Sequence, residues 1–119
     1  MIAGLVRGAG IPLPPEYLAF LRESSGGEGE LGVQPGWFVI WPAGEVVDLN
    51  QEYEVAANAP GFFGFGSSGG GDLLAFDTRG GQPYSVAALP FIGMSVKHAL
   101  PVAVSFASFE AVMGKEWAE

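Results

Sequence analysis

The feature that most constrains this fold is a pair of apolar, aromatic-rich runs separated by a loop of serine and glycine. The runs are Phe62–Phe65 and Leu73–Phe76. Aromatic runs bounded by Gly and Ser are typical of two β-strands joined by a hairpin, and glycine supplies the positive φ that such turns need. The loop is longer than a tight hairpin requires. Three functions therefore compete for it: a phosphate cradle, a catalytic elbow and the rim of a protein-binding surface.

Three segments carry helix signals. Pro15 suits the first position of a helix, Pro42 opens a second helix that we expect to run to about Ala57, and Ser105 is a good N-cap for a third. We expect the first helix to stop at a left-handed glycine, Gly26 or Gly27. The apolar residues of the first and third helices recur at helical spacing, and they are Tyr17, Phe20, Leu21, Phe106, Phe109 and Met113.

The remaining apolar runs predict strands. Both faces of Gly36–Trp41 are apolar, so we expect this strand to be central and at least partly covered on both sides. Pro83–Ala87 predicts a further strand, Pro101–Val104 an edge strand, and Glu28–Val33 a weak, short one. Strands and helices do not alternate regularly, which favours an α+β fold: a central antiparallel sheet with three helices packed on one side of it. We expect residues 1–119 to form one domain.

The charge balance narrows the classes of partner. The net charge is −8, from 13 acidic against 5 basic residues. A nucleic-acid binder needs a basic footprint, and this acidic chain has none. The charge suits a basic protein partner, or it only keeps an apolar chain soluble.

The chain has no Cys, which excludes disulfides and zinc–thiolate sites. No signal peptide or membrane span is evident, so we expect a cytoplasmic location.

The catalytic motifs in the loop are incomplete. Gly66–Gly70 fits the G-x-S-x-G elbow, but that elbow needs a helix after it and here a strand follows. Ser68 with His98, the only histidine, leaves a small serine hydrolase as an alternative. A phosphate loop needs Lys where Asp72 stands, and the acidic residues lack the spacing of a metal site. We therefore predict no catalytic residue, no metal site and no cofactor.

The order of these segments resembles the SUKH superfamily in its Smi/Knr branch. The resemblance rests on four pieces and covers about residues 13–113: an opening helix, a strand-to-helix junction, the glycine-rich hairpin and a closing Ser-Phe-x-x-Phe helix. They are Leu13–Leu21 with Gly26 and Gly27, Trp41–Val47, Pro60–Asp77 and Ser105–Met113.

The resemblance implies an antiparallel sheet of about five or six strands with helices packed on it. It also implies a toxin-binding immunity protein or a regulatory scaffold, without catalytic residues. Our hypothesis is a protein-binding module whose partner is a basic toxin domain, with oligomeric state left open. A scaffold or ligand-binding domain without a toxin partner is a further alternative. The partner-binding residues that we predict are Glu30, Trp41, Glu45, Asp48, Ser68, Asp72 and Tyr84.

Overall fold

The protein, described here from a computed structural model over residues 1–117, is built on a six-stranded antiparallel sheet. Each strand pairs with the next one along the chain, so the sheet is a simple meander. This confirms the predicted α+β class with a central antiparallel sheet. The strands are β1 (Gly27–Glu30), β2 (Trp37–Ile40), β3 (Phe62–Ser67), β4 (Asp72–Asp77), β5 (Ser85–Pro90) and β6 (Leu100–Ala103).

Five α-helices and a short 3-10 helix connect or flank these strands. The helices are α1 (Ile2–Ala9), α2 (Pro15–Glu23), α3 (Val46–Glu52), α4 (Val55–Asn58) and α5 (Phe106–Ala111), and the 3-10 helix is Val96–His98. Two of the predicted starts are confirmed. Pro15 is the first residue of α2, and the Ser105 side chain accepts a hydrogen bond from the Ser108 amide at the start of α5.

The predicted hairpin is the centre of the sheet. β3 and β4 pair from Phe62 opposite Asp77 to Ser67 opposite Leu73, with a bulge between Gly64 and Gly66. A bulge inserts one extra residue and locally redirects the strand. Phe65, the residue in the bulge, stacks on Phe76 with ring centroids 4.4 Å apart.

Helices α2 and α5 close the main core through aromatic packing. The Tyr17 ring lies edge-on to Phe65, Phe76 and Phe106, with centroids 5.7, 5.2 and 5.5 Å away. Phe109 of α5 adds a T-shaped contact to Phe65 at 5.6 Å. Edge-to-face pairs of this kind stabilise a core beyond the apolar area they bury.

Four details differ from the sequence-based expectations. Helix α1 was not predicted. The second predicted helix begins at Val46 instead of Pro42 and is interrupted at Glu54, whose φ of 53° is left-handed. α2 ends in extended backbone at Ser24. The positive φ of Gly26 instead allows a close approach to β2, because a Cβ there would lie 2.5 Å from the Ile40 carbonyl oxygen.

β2 is second from the edge of the sheet, not central. Its Phe38 and Ile40 side chains are buried, whereas Trp37 on the opposite face is 39% exposed. β2 also pairs with only the last part of β3, at Val39 with Ser67 and Ile40 with Gly66. The sheet therefore has a partly open face and an incomplete neighbour for β3.

A side chain of α3 makes the backbone hydrogen bonds to β3 that β2 is too short to make. Asn50 Oδ1 accepts a hydrogen bond from the Gly64 amide at 2.7 Å, and its Nδ2 donates to the Gly64 carbonyl at 2.8 Å. The same Nδ2 donates to the carbonyl of Val46. The carboxamide thus pairs with Gly64 as a residue of a neighbouring strand would. Helix α3 covers the edge of β3 beyond the end of β2, so the helices are not confined to one side of the sheet.

Replacing Asn50 with Ala should destabilise the fold by about 2–4 kcal/mol, because it leaves a buried N–H and C=O of Gly64 without partners. Urea unfolding of Asn50→Ala and of the matched control Asn58→Ala measures the effect. Asn58 is exposed and makes one long contact of 3.5 Å, so its loss should cost less than about 0.5 kcal/mol. Equal, small losses for both variants would contradict this role of Asn50.

The Tyr17 hydroxyl is fully buried, with no hydrogen-bond partner among residues 1–117. Tyr17→Phe should therefore leave stability unchanged or raise it by about 1 kcal/mol. Tyr84→Phe is the matched control, because Tyr84 donates to the Pro12 carbonyl at 2.8 Å and its loss should cost about 1 kcal/mol. Urea unfolding of both variants distinguishes the two tyrosines.

Burial also raises the pKa of Tyr17 above its usual range. Above pH ~10 the unfolded tyrosine loses its proton while the folded one keeps it, so the folded state binds more protons and stability falls as pH rises. Tyr17→Phe should lack this part of the alkaline loss of stability. An unfolding series from pH 8 to 11 checks it, and identical slopes for the two proteins would contradict it.

Candidate protein-interaction surface

The acidic residues are concentrated in one continuous part of the chain. Residues 23–78 contain nine acidic residues and no Lys, Arg or His, a net charge of −9. The rest of the chain has a net charge of +1. This segment includes β1 to β4, α3 and α4, so the fold places its acids around one set of elements. They are Glu23, Glu28, Glu30, Glu45, Asp48, Glu52, Glu54, Asp72 and Asp77.

Within residues 1–117, one of these acids has a basic partner. Arg79 forms a two-point ion pair with Asp77, Nε to Oδ1 and Nη2 to Oδ2, each at 2.9 Å. The hydrogen bond from Arg79 lowers the pKa of Asp77. The guanidinium also lies 4.9 Å from the centroid of the Phe62 ring. This cluster stabilises the base of the hairpin. The other eight acids of the segment form no salt bridge within residues 1–117.

The loop between β3 and β4 is organised by its own serines. Ser68 Oγ accepts hydrogen bonds from the amides of Gly70 and Asp72, both at 3.3 Å, and Ser67 Oγ accepts one from Gly69 at 3.1 Å. The Ser68 hydroxyl thus shapes the turn. His98, its proposed catalytic partner, is exposed on the 3-10 helix, and no hydrogen bond joins these two side chains within residues 1–117.

Trp37 is held at one side of this loop. Its Nε1 donates to Glu28 Oε2 at 3.3 Å, and Glu30 lies opposite it in the register of β1 and β2. Gly69 has a φ of 78°, and a Cβ there would lie 2.8 Å from Trp37 Cδ1. The glycine therefore allows the indole to rest against the loop, with two carboxylates beside it.

A second aromatic cluster lies on the other side of the loop. Tyr53, which is 40% exposed, stacks on Trp41 at 6.2 Å and contacts Phe91 at 4.6 Å. The Phe91 amide donates to the Gly71 carbonyl, so the loop lies between this cluster and Trp37. Ile92 follows Phe91 and is 94% exposed. We call this surface the aromatic face, and it consists of Trp37, Val39, Tyr53, Phe91 and Ile92.

The structure brings only some of the predicted partner-binding residues together. Glu30 and Ser68 lie at the Trp37 end of the aromatic face. Glu45 and Asp48 are exposed at the start of α3, where Asp48 lines a depression with Met1 and with residues of α1. Asp72 lines a different small depression, beside Pro35 and Leu100.

The two aromatic residues among the predicted partner-binding residues, Trp41 and Tyr84, are buried. Trp41 lies beneath Tyr53, and Tyr84 is in the core with its hydroxyl bonded to Pro12. Neither side chain can serve as an exposed anchor in this structure, which corrects their proposed role. Among residues 1–117 the exposed aromatic side chains are instead Trp37, Tyr53 and Trp117, and none of them is among the partner-binding residues that the sequence predicted. One feature of the sequence does indicate the part of the chain that carries Trp37 and Tyr53: no basic residue occurs between Arg22 and Arg79.

Other kinds of site have little support in the described part of the chain. No three His, Asp or Glu side chains converge as metal ligands among residues 1–117. A groove of about 400 Å³ between α1, α3 and α4 is open and lined largely by small or apolar residues, including Gly8, Ala9, Ala56, Ala57 and Phe63. None of the helices in this part is long and apolar enough to cross a membrane.

These features define a small α+β domain with a six-stranded meander and an acidic, aromatic surface. Comparison with family models identifies the family of this domain. The model of the SMI1/KNR4 family (SUKH-1) matches residues 7–111. The chain therefore belongs to the SMI1/KNR4 family, as the resemblance of its segments predicted. A search of curated proteins finds no match.

Proposed function

We propose that this protein is a non-catalytic protein-binding module of the immunity type, which binds and neutralises a cognate bacterial toxin in the cytoplasm. The observation that carries this proposal is the family match over residues 7–111, since bacterial members of the superfamily are mostly taken to be immunity proteins. The concentration of charge in residues 23–78 adds independent support, because an acidic surface suits a basic partner.

The proposed partner is a basic toxin domain. Complementary surface charge accelerates encounter between two proteins, and this effect weakens as salt screens the charges. Eight acids of one segment, which form no salt bridge with any group of residues 1–117, provide such a field, and the sequence carries no basic footprint for nucleic acid. Each acid taken alone has an ordinary role as well: Glu45 and Asp48, for example, lie favourably near the positive end of the α3 dipole.

A serine hydrolase is the alternative from another class. An activated serine needs a base within hydrogen-bonding reach, whereas the Ser68 hydroxyl is engaged by the amides of its own loop. We expect a serine-directed fluorophosphonate to leave the protein unlabelled, as judged by intact mass. Labelling that disappears in Ser68→Ala would contradict a non-catalytic role and support the hydrolase.

The immunity function is tested by first searching for a toxin gene beside this protein's gene and then co-expressing the two proteins. Expression of the protein should restore growth of toxin-producing cells, and the two purified proteins should form a complex. Growth arrest that persists while the protein is abundant and folded would contradict toxin neutralisation. A stable complex with a non-toxic protein would instead favour the scaffold alternative.

Glu45→Lys combined with Asp48→Lys should slow association with the toxin and flatten its salt dependence, because it replaces two negative charges of the acidic segment with two positive ones. The matched control is Glu16→Lys with Glu110→Lys, which makes the same change at exposed positions outside residues 23–78. Stopped-flow association rates at several salt concentrations give the comparison. Equal effects of the two pairs would remove the start of α3 from the interface.

A further inference from the structure

We infer that the aromatic face is the docking surface for a cationic protein segment, which places arginine side chains against Trp37 and Tyr53. The inference rests on the proposed function and assigns it a surface and a mode of recognition. It differs from the sequence-based choice of residues, because Glu45 and Asp48 are at the start of α3 whereas Tyr53 is at its end, and because Tyr84 is buried.

The rings of this face are held in place before any partner arrives. Trp37 is fixed by Glu28 and by its contact with the loop at Gly69. Tyr53 is fixed between Trp41 and Phe91. Exposed aromatic residues that are already ordered lose little side-chain entropy on binding, and Trp and Tyr are enriched among residues that dominate binding energy. Ile92, exposed beside Phe91, extends the apolar contact.

The surrounding charge selects the occupant. Glu28 and Glu30 lie at the Trp37 end of the face, and Glu52 and Glu54 are the sequence neighbours of Tyr53. Among residues 1–117 none of these four acids forms a salt bridge, since the ion pair of this part of the chain joins Arg79 to Asp77. Arginine fits this setting because its planar guanidinium stacks on aromatic rings while its N–H groups bind carboxylates. A second copy of this chain would bring two segments of charge −9 together, which disfavours it as the occupant.

Titration of ¹⁵N-labelled protein with a short peptide of alternating arginine and glycine, at low salt, tests this inference. We expect the largest shifts at the Trp37 indole N–H, at Tyr53 and in loop residues 67–72. Trp37→Ala and Tyr53→Ala should each weaken peptide binding by about two- to five-fold. Gly69→Ala should also weaken it by displacing the indole, whereas Gly71→Ala, with open space around its Cβ, should not.

Two controls separate ring recognition from general attraction. Val104→Ala removes an exposed apolar side chain outside the face and should leave affinity unchanged. Glu28→Gln should weaken binding more than Glu16→Gln, although both remove one charge. Shifts spread evenly over the acids, shifts centred on Glu45 and Asp48, no binding, or unaltered affinity of the two ring variants would each overturn the inference. Shifts at the face caused by protein concentration alone would do so too, in favour of a second copy.

The peptide titration does not depend on a toxin, so the two proposals can fail separately. Rescue from the toxin without ring-dependent peptide binding would retain the immunity function and remove this surface. Ring-dependent peptide binding without rescue would retain the surface and remove the immunity function.

Discussion

The packing of two aromatic rings, Phe65 and Phe76, is the interaction on which the rest of this fold depends. They lie on the central hairpin and carry α2 through Tyr17 and α5 through Phe106. These helices pack on one side of the hairpin. Its other side is accessible to solvent at the end nearest the glycine-rich loop. The aromatic face forms at this end because β2, β3 and the segment after β5 converge on the glycine-rich loop. Its side chains are exposed because α2 and α5 pack on the other side of the hairpin.

The parts of the fold that the sequence predicted are those governed by local rules. The hairpin, the start of α2 at Pro15 and the Ser105 cap each depend on residues close together in the chain. The errors concern contacts over longer distances. The left-handed backbone at Glu54, which divides α3 from α4, has no local signal, because glycine is the residue that usually adopts it. The pairing of Asn50 with Gly64 joins residues 14 positions apart and likewise has no signature in the sequence.

The proposed interaction surface was harder to predict for a related reason. Aromatic residues are usually buried, and sequence alone does not say which of them lies on the uncovered face of a sheet. Trp37 and Trp41 share one face of the same strand run, yet Tyr53 covers Trp41 and no helix covers Trp37. The difference in charge between residues 23–78 and the rest of the chain can be read from the sequence. It is a more reliable guide to the proposed surface than the positions of aromatic residues, since it does not depend on packing.

The absence of bases between Arg22 and Arg79 has a consequence for the chemistry that can reach this protein. Proteases that cleave after lysine or arginine find no bond to cut from Glu23 to Asp77, and lysine-directed acylation or cross-linking has no target there. The N-terminal part offers Arg7 and Arg22 to such proteases but no lysine, whereas the C-terminal part contains Arg79 as well as Lys97 and Lys115. Trypsin would therefore release residues 23–79 as one continuous fragment, in which Trp37, the glycine-rich loop and Tyr53 are still joined but from which Phe91 and Ile92 of the aromatic face are missing.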